Sequence, residues 1–537
     1  MNFNKFTYIL PVAAMMLAAG LSSCTGDLDV SPIDPSTTMD PDEAGLYTKC
    51  YANMALAGNG GADGDCDIDG LDGGTTGFVR QLWNANELVT DEAICGWGDP
   101  GIPQFNYNTW DASHPMLQGF YYRLYNGINY CNHYLDVCAG VDATRQAEIR
   151  FLRALYYYYL MDCYGNVPFT TALSAEPSDP IKRADLFKWI EGEVKDCMGS
   201  MLEPAARTSA TTGYGRADQD AANLLLARMY LNAEVYTGEA KWAEAKTYAE
   251  KVINGPHKLW TTGKNGWSAY QMLFMGDNGE SGASQEAILP LLQDGITTTS
   301  WGTTLFLMAS CWKDDMDTNK DYGTDQMWAG NRARSQLIKK FFPGVTDATQ
   351  IAYTINDMAA AAGDNRALFY GIDRELVVTN PSEFTSGISV GKFRNTYSTG
   401  ATPHNSKFID TDYFLMRAAE AYLIAAEADL REDNQLSDTG LGYVNALRDR
   451  ANAPRVSKED CTLDYILDER ARELYHEGFR RTDLIRYDYF ASGDSKNLWD
   501  WKGGVQGGQG FDDYRNLYAI PAEDMNANPK LTQNPGY

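Results

Sequence analysis

The sequence predicts a mainly α-helical protein in which paired helices form a scaffold for a loop-rich portion. Apolar and small residues recur every three to four positions through two long regions, roughly 117–254 and 412–490. This period places them on one face of a helix. The stretches of roughly 59–112 and 255–407 are instead rich in Gly, Thr, Asn and Asp and carry isolated tryptophans. Long stretches of this kind inside a compact chain indicate functional loops on a scaffold.

One helical hairpin shows the pattern most clearly. Two apolar stripes at helical spacing flank a turn at Thr237 and Gly238. They consist of Leu224, Ala227, Leu231 and Val235, and of Trp242, Ala245, Ala249 and Val252. Small alanines allow helices to approach closely, and a tryptophan early in the second helix is typical of a tetratricopeptide-like pair. Such pairs stack on their neighbours and bury a shared face, so we predict a solenoid-like helical core.

Other regions repeat this pattern. A similar unit begins at Asp412, and its residues in register are Phe414, Ala418, Ala421, Ala425 and Ala428, followed by a helix over 443–450. The stretches 117–137 and 144–164 form another pair, and 463–489 joins them. Within the last stretch, Arg and Glu at i,i+3 and i,i+4 spacing predict ion pairs along the face of a structural helix. We expect one domain over residues 42–537.

The N-terminal residues 1–24 have the pattern of a lipoprotein signal peptide. One lysine precedes an apolar run that is too short to span a bilayer comfortably, and small residues lead to Cys24 as in a bacterial lipobox. We expect Cys24 to become the acylated first residue of the mature chain, and residues 25–41 to form a flexible tether. An ordinary signal peptide that happens to meet a cysteine is the alternative. The acidic TGDLD after Cys24 resembles an export tag of surface-exposed lipoproteins in one Gram-negative lineage.

The composition excludes some ligands and favours others. The net charge is −27, so the chain offers no basic surface to nucleic acid or anionic lipid. Aromatic residues make up 12% of the chain, with 33 tyrosines and 12 tryptophans. Their flat apolar faces and polar edges suit sugar rings as well as protein interfaces. A neutral ligand is therefore the easier partner.

Metal and catalytic motifs are weak. The stretch DCDIDGLD at 65–72 opens like an EF-hand loop, but Thr76 stands where calcium needs a glutamate, so we interpret it as an acidic loop. A structural calcium site elsewhere, using Asp277 and its acidic neighbours, is a weaker hypothesis, and no other cofactor is expected. None of the 72 acidic residues is singled out as a catalytic pair. Without Cys24 nine cysteines remain, an odd number without a C-x-x-C pair, so the sequence indicates no particular disulfide pairing.

Four tryptophans have polar neighbours although no amphipathic pattern demands an apolar residue there. They are Trp97 in ICGWGDPG, Trp301 in TTTSWGTTL, Trp312 in SCWKDD and Trp328 in TDQMWAGN. Each could fold back into the core or present a flat face to a ligand. As a set they favour a sugar-binding surface, because the C–H faces of pyranose rings pack on aromatic faces while the hydroxyls bond to polar side chains.

Several short stretches, spread over the whole chain, match one family. They are DLDVSPIDP in the tether, NELVTDE at 86–92, GRADQDAANLLLARMYLNAEVYTG from Gly215, ERARELYHEGFRRTDLIRY at 469–487, WDWKGG from Trp499 and the closing QNPGY. Together they resemble the SusD/RagB family of outer-membrane glycan-binding lipoproteins, and within it the starch-binding members. The resemblance runs from the lipobox to the last residue.

The resemblance implies a SusD-like fold, in which four tetratricopeptide-like helix pairs support a variable ligand-binding half without catalytic activity. It also implies a lipid anchor in the outer membrane, with the protein facing the cell exterior. The implied ligand is an α-glucan such as starch, maltooligosaccharides or cyclodextrin. The implied partner is a TonB-dependent transporter of the SusC type, over whose lumen the protein sits as a lid. Other surface glycan-binding lipoproteins and an amylase are further implied partners.

The resemblance also implies a set of site residues. In the starch-binding members three aromatic residues follow the curvature of an α-glucan helix, assisted by an arginine and an asparagine. The matching positions are Trp97, Trp301 and Trp328 for the aromatic residues and Arg80 for the arginine. Cys95 stands where a second tryptophan is expected. The loop after Trp97 is one residue shorter, so the asparagine has no clear equivalent, and Asp99 is the residue that can replace it.

Two alternatives stay open at this point. The same scaffold could bind a different polymer, such as a β-glucan, a host glycan or a peptide. A glycoside hydrolase is less favoured, because none of its catalytic residues can be named from the sequence.

Overall fold

The computed structural model describes residues 42–64, 66–316 and 322–537. The signal peptide, Cys24 and the tether predicted over 1–41 lie outside the described residues. Contacts divide the chain into two compact units, Met1–Leu46 and Tyr47–Tyr537. The first unit has described residues only at 42–46, where a helix begins.

Helices make up most of the regular structure, which confirms the predicted fold class. In chain order the α-helices are α1 (Glu43–Ala52), α2 (Gly73–Thr76), α3 (Phe78–Trp83), α4 (Ile102–Asn106), α5 (Pro115–Val137), α6 (Ala143–Cys163), α7 (Arg183–Cys197), α8 (Gln219–Leu231), α9 (Ala233–Thr237), α10 (Trp242–Asn254), α11 (Ala269–Met272), α12 (Thr304–Ala309), α13 (Ser335–Phe341), α14 (Ile355–Ala362), α15 (Ala418–Asp433), α16 (Asp438–Arg450), α17 (Leu463–Leu474), α18 (Arg480–Arg486) and α19 (Ala522–Ala527). Among the described residues, none of these helices is both long and apolar enough to cross a membrane.

The strands are short and pair two by two. They are β1 (Ala93–Cys95), β2 (Val167–Pro168), β3 (Pro180–Ile181), β4 (Ala287–Leu291), β5 (Asn331–Ala333), β6 (Phe369–Tyr370), β7 (Ser389–Val390) and β8 (Tyr413–Arg417). β1 pairs with β5, β2 with β3, β4 with β8 and β6 with β7, all antiparallel. A π-helix over Asn84–Leu88 and several short 3-10 turns complete the regular structure.

The long helices pack in pairs. α5 packs on α6, α8 on α10, and α15 on α16. α10 also packs against α15, so two of these pairs stack on each other. The hairpin predicted from its alanine stripes is present, and Ala227, Ala245 and Ala249 are fully buried between the helices. This burial of small residues at helix contacts is what a tetratricopeptide-like stack requires.

Capping residues and one glycine explain where these helices begin and how closely they pack. The Asp142 carboxylate accepts the N–H groups of Thr144 and Arg145 at the start of α6, as expected of an N-cap. Gly127 on α5 faces α6, and a Cβ there would lie 2.4 Å from the ring of Tyr156. Glycine at this position therefore permits the close approach of α5 and α6.

The unit predicted to begin at Asp412 starts later than expected. Residues Tyr413–Arg417 form strand β8 with all five side chains buried, and α15 begins only at Ala418. β8 pairs with β4, from a distant part of the chain. Phe414 is therefore a sheet residue rather than part of a helix stripe. The predicted alanines at 418, 421, 425 and 428 do lie in the buried face of α15.

The Arg- and Glu-rich stretch at 469–487 is not one helix. It contains α17 and α18, separated by a turn in which His476 and Gly478 adopt φ of 62° and 86°. Helix-face pairs of the predicted kind join Arg472 to Glu469 and Arg486 to Asp483. Arg470 pairs with Asp483 between the two helices at 2.7 Å, and further partners come from distant elements. This stretch is therefore tied to the whole molecule rather than to one helix face.

Glu473 on α17 is the centre of a buried ion-pair network. Its carboxylate accepts hydrogen bonds from Arg366 at 3.2 Å, from Arg417 at 2.7 Å and from Arg450. All four residues are buried. Burial alone would raise the pKa of Glu473, but the guanidinium groups of Arg450 and Arg417 hold it well below its usual range. The network therefore fixes a loop, a strand and a helix around α17.

Candidate functional site

Strand pairing brings two of the predicted site tryptophans to the same place. Trp97 lies two residues after β1, and Trp328 lies three residues before β5. Because β1 and β5 are antiparallel, with Cys95 opposite Asn331, the end of one strand meets the start of the other. The hydrogen bond from Gly96 N–H to Gly330 C=O, at 2.9 Å, extends this pairing into the two loops.

Trp97, Trp328 and Trp301 form one continuous aromatic surface, which we call the tryptophan arc. The ring centroids of Trp97 and Trp328 are 6.4 Å apart, and those of Trp328 and Trp301 are 5.9 Å apart. The interplanar angles of 51° and 53° turn each ring relative to the next. All three side chains are half-buried. The structure therefore brings together the three aromatic residues that the sequence predicted.

Hydrogen bonds of the indole N–H groups fix the rings of the arc. Trp97 Nε1 donates to the backbone carbonyl of Trp328 at 3.1 Å, and Trp328 Nε1 donates to Gln326 Oε1 at 3.1 Å. Trp301 Nε1 donates to Asp63 Oδ1 at 3.0 Å. Because each polar edge is already satisfied, the apolar faces are what the arc offers to a ligand.

Glycines allow the backbone to approach these rings. A Cβ on Gly330 would lie 2.2 Å from the indole of Trp97, so only glycine fits beneath that ring. Gly302, next to Trp301, packs against Gly77 with a similar lack of room. The carbonyl of Gly302 accepts the N–H of Arg80 at 3.0 Å. This bond joins the loop of Trp301 to helix α3.

Arg80 lies at the Trp97 end of the arc. Its guanidinium carbon is 5.6 Å from the centroid of the Trp97 ring and 5.1 Å from that of Phe306. Nη1 donates to the carbonyl of Gly74 at 3.3 Å, whereas Nε has no hydrogen-bond partner among the described residues. Burial lowers the pKa of Arg80, and the charges of neighbouring acidic groups, Asp99 among them, oppose that shift. Arg80 thus supports the Trp97 ring by a cation–π contact, and its unpaired Nε is buried rather than open to a ligand.

Asp99 and Cys95 have different environments. Asp99 is exposed in the turn after Trp97, close enough for its charge to act on Arg80. Cys95 is buried in β1, and its backbone N–H and C=O both bond to the side chain of Asn106. Burial raises the pKa of the Cys95 thiol to about 11. Cys95 is therefore a strand residue beneath the site rather than a ligand contact.

The Trp301 end of the arc carries residues that the sequence did not point to. Lys407 Nζ lies 4.5 Å from the centroid of the Trp301 ring, and the ring of Phe408 lies 5.0 Å from it. Lys407 also approaches Asp63 at 4.0 Å. Asp63 and Lys407 are far apart in the chain, and neither belongs to a motif, so only the three-dimensional contacts reveal them.

Trp312 is not part of this surface. Although its neighbours SCWKDD are as polar as those of the arc, its side chain is buried and stacks on Tyr322, with ring centroids 4.2 Å apart. The expectation that all four tryptophans form an exposed set is therefore wrong for Trp312. A ring from elsewhere in the chain covers it.

The acidic residues considered as metal ligands have structural partners. Asp277 is buried, and its carboxylate accepts the N–H and the hydroxyl of Ser398 at 2.9 and 2.6 Å. In the EF-hand-like stretch, Asp67 forms an ion pair with Arg123 at 2.7 Å. Within the described ranges, no group of three His, Cys, Asp or Glu side chains is arranged to hold a metal ion.

Two family models match the chain. The model of the SusD family matches residues 224–537. A second model, described as starch-binding and associating with the outer membrane, matches residues 80–231.

Two named proteins are similar to this chain in sequence. The starch-binding protein SusD of Bacteroides thetaiotaomicron is 38% identical over 556 aligned positions, which cover 97% of each chain. SusD-like protein P25 of Formosa agariphila is 25% identical, with 68% of this chain and 69% of that protein covered. None of the descriptions of these proteins names an enzyme activity.

Solved structures share the fold. A SusD-like protein from Bacteroides fragilis superposes with a TM-score of 0.68 and 18% identity, covering 95% of this chain and 100% of that one. A SusD-like protein described as laminarin-binding superposes with a TM-score of 0.65 and 21% identity, covering 92% and 99%.

Proposed function

This chain belongs to the SusD family, and on that premise we propose that it binds starch and maltooligosaccharides without cleaving them and delivers them to a TonB-dependent transporter of the outer membrane. Its relatives support the broader statement that it is a glycan-binding protein of the outer-membrane surface. The α-glucan specificity, the delivery step and the absence of catalysis are parts of the proposal.

The tryptophan arc is the observation that carries this proposal. Its three rings lie side by side, each turned by about 50° from the next, and their N–H edges are occupied by the protein itself. Such a series of turned faces fits a curved chain of pyranose rings, whose C–H faces pack on indole. Because the rings are held before a ligand arrives, binding loses little side-chain entropy.

Polar groups flank both ends of the arc and would contact the hydroxyls of the sugar. The Arg80 guanidinium lies against Trp97 at one end, where Asp99 is exposed as an acceptor. Lys407 and Asp63 flank Trp301 at the other end. Arginine, lysine and carboxylate side chains supply the donors and acceptors that sugar hydroxyls need.

Anchoring and partners complete the proposal. Acylation of Cys24 would hold the protein on the cell surface, since two or more acyl chains anchor a soluble domain stably. The partner is a SusC-like transporter, and other surface glycan-binding lipoproteins and an amylase would act with it. A structural calcium ion near Asp277 is a weaker part of the proposal, because both carboxylate oxygens of Asp277 already accept hydrogen bonds from Ser398.

Affinity electrophoresis in gels containing amylopectin tests the proposal. We expect Trp97→Ala and Trp328→Ala each to lower retention by more than about tenfold, because loss of an indole face that stacks on sugar costs about 1.4 kcal/mol or more. Trp267→Ala is the matched control. Trp267 is also half-buried, and its ring centroid lies 4.8 Å from the guanidinium carbon of Arg394, but it is not part of the arc.

The same gels decide between ligands. Retention by amylopectin and not by laminarin, cellulose derivatives or mucin glycans is the result expected for an α-glucan binder. If another polysaccharide retains the protein and the same two variants lose this retention, the arc is still the binding site but its ligand is that polysaccharide. Equal behaviour of Trp97→Ala, Trp328→Ala and Trp267→Ala would contradict the arc itself.

A further inference from the structure

A second groove lies apart from the tryptophan arc. It has a volume of about 760 Å³ and is bounded by α5, the exposed loop over 172–178 and helix α19. No residue of the arc lines it. Its size falls within the range of ligand-binding pockets, roughly 300–1,000 Å³.

Tyrosines of α5 form an aromatic wall in this groove. Tyr122 and Tyr125 are three residues apart on α5, so they share one face of the helix. Both are half-buried. The buried ring of Tyr121 supports them, with centroids 5.9 Å from Tyr122 and 4.7 Å from Tyr125. The wall therefore presents two aromatic side chains backed by a third.

Hydrogen bonds hold this wall in place. Tyr125 Oη donates to the carbonyl of Pro168 at 2.6 Å, and Tyr121 Oη donates to Asp524 Oδ2 at 2.6 Å. The first bond ties the wall to the chain on one side of the groove, and the second ties it to α19 on the other. The aromatic rings are thus fixed, as they are in the arc.

The charge of the groove limits its ligand. Among the residues that the structure describes, its ionisable lining residues apart from tyrosines are Glu176 and Asp524, and none of them is Lys or Arg. An anionic ligand would therefore meet mainly like charge, because the nearby Lys530 Nζ already donates to the carbonyl of Pro177 at 2.8 Å and pairs with Asp179 at 3.0 Å. A neutral ligand fits this lining better, because its hydroxyl groups can donate to the carboxylates and its C–H faces can pack on the tyrosine rings. The exposed amide of Asn129 adds a donor and an acceptor at the rim.

We propose that the groove lined by Tyr122, Tyr125, Glu176 and Asp524 is a second saccharide-binding site, which contacts another segment of the same α-glucan that occupies the tryptophan arc. This inference rests on the proposed function for the identity of the sugar. A long polymer that occupies one site of the protein reaches the second site intramolecularly, whereas a short oligosaccharide does not. A second site is therefore expected to raise retention in a polymer gel more than it raises the affinity for a short oligosaccharide.

Hydrogen–deuterium exchange of the full protein, with and without maltoheptaose, locates the sites. We expect slower exchange around 118–129 and 171–178 as well as around the three arc tryptophans. Protection confined to the arc overturns the second site and leaves the proposed function intact. Protection confined to the groove contradicts the arc and supports the groove as a saccharide site. Protection at neither place overturns both proposals.

Variants give an independent test in amylopectin gels. Tyr122→Ala removes part of the wall, and Ala175→Arg fills the groove from an exposed loop position where folding is not at risk. We expect both to lower amylopectin retention by about tenfold or more, with the affinity of the arc for maltotriose unchanged. Tyr353→Ala, at a 39% exposed tyrosine outside the groove, is the control. Retention equal to that of the control in both variants would overturn the site.

Discussion

Gly330 lies directly beneath the indole of Trp97, and its lack of a side chain is what permits this contact. The residue before it, Ala329, adopts a left-handed φ of 48°, which turns the chain between Trp328 and the strand β5. The backbone of this turn is hydrogen-bonded to the C-terminal end of α12, where the N–H of Trp328 donates to the carbonyl of Ala309 at 2.7 Å. The position of the arc rings therefore depends on backbone geometry at single residues.

We expect Gly330→Ala to impair glycan binding while the protein remains folded. The new Cβ would lie 2.2 Å from the Trp97 ring, so the ring must move out of the arc. Overpacking of this kind costs about 1–3 kcal/mol of stability. Amylopectin gels and urea unfolding measure the two effects. Gly442→Ala is the control, because a Cβ there meets nothing within 4 Å. Unchanged retention of Gly330→Ala would show that the Trp97 ring is not needed in this place.

His114 connects the turn of Trp97 to helix α5. Its Nδ1 accepts the N–H of Leu117 at 3.2 Å as the N-cap of α5, so Nε2 carries the hydrogen that it donates to the carbonyl of Gly101 at 2.9 Å. Gly101 ends the ICGWGDPG turn. Burial lowers the pKa of His114 to about 4. The neutral ring is therefore the form that the fold requires.

We expect this histidine to make the protein less stable in mild acid. Between its unfolded pKa of about 6.5 and its folded pKa of about 4, the unfolded chain takes up a proton that the folded protein does not. Stability therefore falls as the pH decreases through this window, by about 3 kcal/mol from this group. Urea unfolding at several pH values checks this. His114→Asn keeps an N-cap without titrating, and an equally steep loss in that variant would assign the effect to other groups.

Among the elements, long helices could be predicted and short strands could not. α5 and α6 have local apolar periodicity over their full length, so the stretches 117–137 and 144–164 were sufficient to predict them. β8 pairs with β4, which is far away in the chain, and no local sequence pattern predicts such a pairing. A non-local pairing of the same kind, between β1 and β5, brings Trp97 to Trp328. Asp63 and Lys407 reach Trp301 only through tertiary contacts, which explains why they could not be predicted.

The network around α17 predicts a large loss of stability for Glu473→Gln. The substitution keeps the shape of the side chain but removes the one carboxylate that Arg366, Arg417 and Arg450 share. Breaking a buried ion pair on one side costs about 3–5 kcal/mol. Denaturant unfolding measures this loss. Glu459→Gln, at an exposed position, is the control and should match the wild type. A loss of less than about 1 kcal/mol would mean that water or rearrangement replaces the charge.

For the molecule as a whole, charge and family membership predict different things. The net charge of −27 excludes polyanionic ligands but does not select among neutral ones. The three site tryptophans could be chosen only with the family pattern. Trp312 has equally polar neighbours in the sequence, yet its side chain is buried. Tertiary packing decides which polar-loop tryptophan stays at the surface. The identity of the glycan therefore has to come from binding experiments.

The charge of the whole chain determines how ionic strength affects ligand binding. If the ligand is a neutral α-glucan, binding releases no counterions, so we expect the affinity for maltoheptaose to change less than about twofold between about 0.05 and 0.5 M NaCl. An acidic polysaccharide such as alginate should be repelled at low salt by the charge of −27. Isothermal titration calorimetry measures both. A steep fall of maltoheptaose affinity with salt would contradict this expectation, and would point instead to charge contacts of Arg80 and Lys407, which lie against the rings of Trp97 and Trp301.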